Sequence, residues 1–297
     1  MKSPWLYQDT INFYCEKLTQ SFVIKTTFLI FLFLRMAEGF VKQAKQYSEA
    51  RPRYPPEMFD FIASKTPCHD VAWDVGTGNG QAATSLVSIY KSVVATDTSK
   101  KQLEFAPKLS NIRYECTSPN MSMSELEEKI GPESSVDLVT VAQALQWFDL
   151  DTFYNQVKWI LKKPSGVIAV WCYTLPNIDD EVDLVLQKSY MESKSYLVGL
   201  AREMIEDKFA NIKFPFDPVA GCDHTGPFEF QTKKLMTLDE LFTFIRSASP
   251  YQTAREQGVE LLNDGVIEEF KRAWKEDANC QKNVVFPVYL RIGKLPI

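Results

Sequence analysis

Histidine is nearly absent from this sequence: His69 and His224 are the only two in 297 residues. The six cysteines, Cys15, Cys68, Cys116, Cys172, Cys222 and Cys280, are scattered and form no C-x-x-C pair. These shortages argue against a zinc site and against a disulfide framework, and a reducing compartment such as the cytoplasm fits them. Cys116 and Cys172 fall in strand-like runs and are expected to be buried thiols. There is no excess of basic residues either. A formal net charge of −5 argues against a nucleic-acid grip, which would want a basic face. The chain shows no internal repeat and no low-complexity stretch. With 45% hydrophobic and 24% charged residues it reads as an ordinary soluble globular protein, long enough for one large α/β domain or two small ones.

One long apolar run is present, and it falls short of a membrane span. Phe22 to Leu34 holds ten apolar residues in thirteen, interrupted by Lys25, where about 20 are needed to cross a bilayer. The residues that follow, Arg35 to Gly39, offer no small-x-small cleavage site. Residues 1–35 are therefore expected to be an extension outside the fold, with the globular part starting near Met36, and no stable membrane insertion is expected.

The stretch that organises the rest is 71–97. An apolar run, Val71 to Val75, carries Asp74. Gly76, Gly78 and Gly80 follow at every second position, then a helical stretch from Gln81 to Tyr90, then a second apolar run that stops at Asp97. This is strand, glycine loop, helix, strand, acid: a βαβ unit suited to a nucleoside ligand. Glycines allow positive φ and close approach of backbone to ligand. An acid at the end of the second strand can accept hydrogen bonds from both ribose hydroxyls. In the dinucleotide fingerprint the third glycine would fall at position 81, which is Gln81, so an NAD-dependent oxidoreductase is the weaker reading. A fold used only for binding, without catalysis, is the other alternative.

Further along, Glu57 to Lys65 and Phe153 to Leu161 have helical periodicity. Asn111 to Cys116, Val136 to Ala142 and Val167 to Tyr173 read as strands. Alternation at this spacing predicts a parallel sheet covered on both faces. Beyond Tyr173 it breaks. Asp179 to Lys208 reads as a mixed-face helix, Phe228 to Thr232 as a strand, Leu238 to Arg246 and Val259 to Trp274 as helices, and Val284 to Ile292 as a closing strand.

The spacing Asp74-x-Gly76-x-Gly78-x-Gly80 resembles the class I S-adenosylmethionine methyltransferases. The run Ala142-Gln143-Ala144-Leu145-Gln146-Trp147-Phe148-Asp149 resembles the A-x-A-x-H-W-F-D run of their type 11 branch, in particular trans-aconitate-methyltransferase-like proteins. The resemblance implies a Rossmann-like, doubly wound, mostly parallel seven-stranded sheet with an antiparallel edge strand, and a helical lid insert near 178–208. It implies S-adenosylmethionine as cofactor and a small-molecule acceptor. Asp74 would then sit near the methionine end of the cofactor, with Gly76, Gly78 and Gly80 under methionine and ribose and Asp97 on the ribose. Asn120 and Met121, in the loop after the third strand, would meet the adenine. Tyr47 and Arg51 would contact the methionine carboxylate. Gln143 and Trp147, which border the pocket, are the candidates at the reacting end, Gln143 for the cofactor as well. Gln146 stands where the branch often has histidine, so no base is evident. His224, in a glycine-flanked stretch, reads as a surface residue. An acceptor that is already an anion needs no base, and Arg51, Arg53, Lys188, Lys194, Arg202 and Arg246 are cations available to hold a carboxylic acid.

Overall fold

In the computed structural model of the chain, residues 51–196, 199–275, 277 and 280–296 are described. The expected extension 1–35 and Tyr47 lie outside them. A seven-stranded sheet runs in the order β3-β2-β1-β4-β5-β7-β6. Its strands are β1 (Val71–Val75), β2 (Ser92–Asp97), β3 (Ile112–Cys116), β4 (Leu138–Ala142), β5 (Val167–Tyr173), β6 (Phe228–Met236) and β7 (Lys282–Lys294). β1 to β5 are mutually parallel, and β7 runs antiparallel to both β5 and β6. The expected reversal of direction is therefore present at that side of the sheet.

The helices are α1 (Pro56–Lys65), α2 (Gln81–Leu86), α3 (Lys100–Glu104), α4 (Met123–Lys129), α5 (Leu150–Ile160), α6 (Asp180–Glu192), α7 (Leu200–Glu206), α8 (Leu238–Arg246), α9 (Ser249–Glu256) and α10 (Asp264–Trp274). None among the described residues is long and apolar enough to cross a membrane. Strand side chains alternate between two apolar layers, as the period of two requires. Ala72, Ala95, Leu138, Ala169 and Trp171 join α1, α2, α8 and α10 on one face. Trp73, Val94, Val139, Ile168 and Val170 join α4 and α5 on the other. β5 is buried along its whole length, which is why it reads as an uninterrupted apolar run.

Several boundaries differ from the sequence expectation for local reasons. The helical pattern over Lys100 to Leu109 is realised only as far as Glu104, because Pro107 cannot continue a helix. The single helix expected over 179–208 is divided. α6 ends at Glu192, a 3-10 turn covers Ser193–Tyr196, and α7 starts after Gly199 at φ 77°. α9 was not expected; Pro250 in its first turn supplies the start. α10 begins at Asp264 rather than Val259, where Asn263 accepts from the Val266 N–H. Cys172 is buried as expected, but Cys116 is exposed, at the end of β3, an edge strand of the sheet. The strand order reverses between β1 and β4, and ligands of open α/β sheets bind beyond the strand ends at such a point.

Candidate active site

The loop after β1 is built on three left-handed glycines, Gly76 (φ 66°), Gly78 (φ 58°) and Gly80 (φ 83°). Each has a different reason. A Cβ on Gly76 would lie 2.6 Å from the Ala144 Cβ, so Gly76 is where the loop meets the end of β4. A Cβ on Gly80 would lie 2.6 Å from the Tyr114 hydroxyl. A Cβ on Gly78 meets nothing within 4 Å, so this is the open side of the loop.

Two acids hold the loop. Asp74 is fully buried; its oxygens accept from the hydroxyls of Thr77 and Thr140, both at 2.6 Å. It exposes no surface and braces the loop from beneath. Burial pushes its carboxyl up to about 6 against the pull of the Thr140 and Thr77 hydroxyls and the Ala83 N–H. The folded state therefore holds this proton to higher pH than the unfolded chain does. Stability from Asp74 is greatest below pH 3.8 and falls as pH rises toward about 6. In Asp74→Asn that dependence is removed. The variant's unfolding free energy should gain on the parent's by about 2–3 kcal/mol between pH 4 and pH 7, measured by urea unfolding. A constant difference across that range would show that Asp74 titrates normally.

Asp97, at the end of β2, accepts from the Gly78 N–H and the Ser99 N–H, each at 2.8 Å. Burial raises its carboxyl, opposed by the backbone N–H groups of Ser99, Gly78 and Thr98. Thr77 ties the loop to the same strand through its N–H and the Thr96 carbonyl at 2.9 Å. Asn120 is exposed and Met121 half-buried on the loop after β3; Gln156 holds the Met121 carbonyl.

Beyond the ends of β4 and β5 lies a cavity of about 550 Å³. Gln143, Gln146 and Trp147 line its floor, Arg51 and Phe244 one wall, and Tyr190 and Glu206 the covering helices. Gln143 has φ 57°, a strained backbone for a residue with a Cβ. Three bonds keep it there: its N–H to the Trp171 carbonyl at 2.9 Å, its amide to the Tyr173 carbonyl at 3.2 Å, and the Gln146 amide on its own carbonyl at 3.0 Å. The Arg51 guanidinium donates to the Tyr173 hydroxyl and, at 3.0 Å, to the Ser247 carbonyl, between the rings of Tyr173 and Phe244. Arg51 is thus part of the cavity wall.

Sequence reasoning named the floor residue by residue but gave the cover only as a helical insert near 178–208, with no lining residue singled out in it as such. Tyr190, Asp183, Glu206 and Lys208 all line the cavity, but they come from two helices with mixed faces and the turn after the second, which give no period to read. Of the two histidines, His69 faces the Ala63 carbonyl at 3.1 Å, and His224 is exposed and stacked on Phe228. Neither lines the cavity. Among the described residues no cluster could hold a metal ion.

The loop and cavity suit a nucleoside cofactor with a reacting end. The face of Gly78 is open, Asp97 is at the strand end, and the buried Asn79 Nδ2 and Tyr114 hydroxyl make no hydrogen bond among the described residues. The loop meets the cavity floor where Gly76 touches Ala144, just before Gln146 and Trp147.

Known proteins are similar to this chain over most of its length. The profile of the Methyltransferase domain family matches residues 73–170. A Dictyostelium discoideum protein named as a methyltransferase is 30% identical over 257 residues, covering 84% of this chain and 92% of the relative. A Saccharomyces cerevisiae protein named as a probable S-adenosylmethionine-dependent methyltransferase is 26% identical, covering 70% of this chain and 79% of its own. A solved structure from Anaeromyxobacter dehalogenans, named as a type II methyltransferase, has a TM-score of 0.70 at 25% identity, covering 83% of this chain and 99% of that one.

Proposed function

This chain belongs to the class I S-adenosylmethionine-dependent methyltransferases, and from that premise we propose that it methylates a small carboxylic acid on a carboxylate oxygen. The observation that carries the proposal is the cavity itself. It is of small-molecule size, largely apolar, and among the described residues lined by no imidazole and no thiol. A carboxylate is already an anion and needs no base, whereas a phenol or an alcohol does.

When bound, the cofactor supplies an electrophilic methyl group whose thioether leaves uncharged. The chain's own residues have the remaining work. The open face of Gly78 and the Asp97 carboxylate hold the nucleoside. Trp147 and Gln143 form the floor at which the reacting end arrives. The covering helices exclude water, which would otherwise solvate the acceptor's carboxylate and weaken it as a nucleophile. Orientation of this kind can be worth roughly 7–11 kcal/mol of barrier in favourable cases.

A second reading has one observation behind it. Asp183 lines the cavity, and burial raises its carboxyl, helped by the neighbouring charges of Asp179 and Asp180. A base of this kind would serve a hydroxyl or amine acceptor. Cofactor labelled in the methyl group and a panel of mono-, di- and tricarboxylic acids separate the two. The expected product releases labelled methanol in alkali, as methyl esters do. A base-stable product from the preferred acceptor would overturn the carboxylate reading and favour Asp183 as base.

A further inference from the structure

Among the cations near the cavity, Arg202 is held in an unusual way. It does not itself line the cavity but lies on α7, whose neighbouring Ile205 and Glu206 do, and α7 packs on the Leu145–Trp147 turn that carries the cavity floor. Arg202 is only 6% exposed. Its Nε donates to Glu206 Oε1 at 2.6 Å, and the Tyr190 ring centroid lies 4.4 Å from its Cζ. Nη1 and Nη2, the forked end of the guanidinium, are shut off from solvent and make no hydrogen bond among the described residues.

That arrangement is poor for stability alone. A charge taken out of water needs its N–H groups satisfied, and each one left idle carries the full desolvation penalty. The Glu206 partner does not repair this. Its side chain is 40% exposed and it engages only Nε, and pairs of this type four residues apart on a helix contribute little. The other cations are differently placed. Arg51 is bonded to Tyr173 and Ser247, Lys188 pairs with Glu269, and Arg53 and Lys194 are exposed. Arg246 lies over the Phe242 ring.

We propose that Arg202 is the anion anchor of the acceptor site. Its Nη1 and Nη2 take a carboxylate of the acceptor side by side, the geometry in which guanidinium binds carboxylate most strongly. Tyr190 stays on the face of the guanidinium while the acid takes its edge. Glu206, half out of the wall, swings outward to admit it. This assignment rests on the reading of the acceptor as an acid, and it makes Arg202 a specificity-determining residue that acts on binding.

The test uses the full chain loaded with S-adenosylhomocysteine. Calorimetry with the same acid panel is paired with methyl-transfer kinetics for the parent, Arg202→Met, Arg202→Lys and Glu206→Gln. At least one acid should bind the parent. Arg202→Met should weaken that acid roughly 30-fold or more, raising KM with kcat within about threefold. Arg202→Lys restores the charge without the fork and should recover only part of the affinity. Glu206→Gln removes a competing carboxylate and should tighten binding. Because an idle buried charge is removed, Arg202→Met should not lower Tm. Binding by Arg202→Met within twofold of the parent overturns the anchor, as does a panel in which no acid binds the parent. So does an Arg202→Met that loses its fold while Arg202→Lys keeps both fold and full affinity. If acid binding needs Arg202 but the methylated product is base-stable, the anchor stands and the carboxylate-methylation reading falls. If the product is base-labile and KM is unchanged in every variant, carboxylate methylation stands and the anchor falls.

Discussion

Replacing Asp97 by alanine should weaken S-adenosylhomocysteine binding roughly 100-fold or more, because hydrogen bonds to a charged acceptor contribute about 1.5–3 kcal/mol each. Two losses combine. On the proposed reading, the carboxylate at the end of β2 accepts from the ribose hydroxyls. It also accepts from the Gly78 N–H and the Ser99 N–H at 2.8 Å, so the open segment of the glycine loop loses its tether. The fold should survive, since the sheet's register does not depend on this side chain. Asp97→Asn keeps the shape and one carbonyl acceptor and should fall between the parent and alanine. Calorimetry on the three proteins measures this. An unchanged dissociation constant in Asp97→Ala would move the ribose site elsewhere.

The second large effect is expected at Gly76. Alanine there must adopt φ near 66°, which costs about 1–2 kcal/mol for an L-residue. Its Cβ must also share space with the Ala144 Cβ, 2.6 Å away. A methyl group fixed to the backbone cannot step aside, so overpacking adds roughly 1–3 kcal/mol. Gly78→Ala is the control. It has a similar φ of 58° but open space at the new Cβ, so only the backbone cost applies. Chemical unfolding should therefore show Gly76→Ala less stable than Gly78→Ala by about 1–3 kcal/mol. Kinetics should separate them as well. Gly76→Ala displaces Ala144 and with it the turn holding Gln146 and Trp147, which lowers kcat. Gly78→Ala crowds the ligand face and raises the cofactor's dissociation constant. Equal stabilities would mean that the contact between the loop and the end of β4 is soft.

What the sequence made legible follows the range over which its signals act. The unit from Val71 to Asp97 is local. Apolar run, glycine spacing and acid are neighbours in the chain, so strand, loop and strand came out at the observed places. The left-handed glycines were readable because no other residue adopts that backbone so cheaply. Asp74 illustrates the limit. Its position in the motif was clear, but its complete burial against Thr140, sixty-six residues away, depends on β1 pairing with β4. The cover was legible as an insert near 178–208, but its lining residues were not, for the same reason. Tyr190, Glu206 and Phe244 meet only after three separate helices fold back over the sheet; the faces of the first two are mixed, and Phe244 belongs to a helix whose apolar face also serves the core. Gln143 was picked out by its place in a run, yet its strained backbone leaves no mark in residue type. Arg202 appeared as one of six interchangeable cations, and only burial separates it from the rest.

The place of β7 in the sheet has a consequence for biosynthesis. Among the described residues β6 pairs with no strand but β7, and β7 alone joins it to β5. On the ribosome the parallel half, with its glycine loop and both acids, can assemble while later residues are still being added. β6, with α8 that follows it directly, has no sheet to dock on until β7 emerges. The cofactor cradle and the acceptor wall thus mature at separate times. During that interval the nascent chain exposes the edge of β5, a buried and wholly apolar strand in the finished protein, and this is the stage at which a chaperone would find the most to hold.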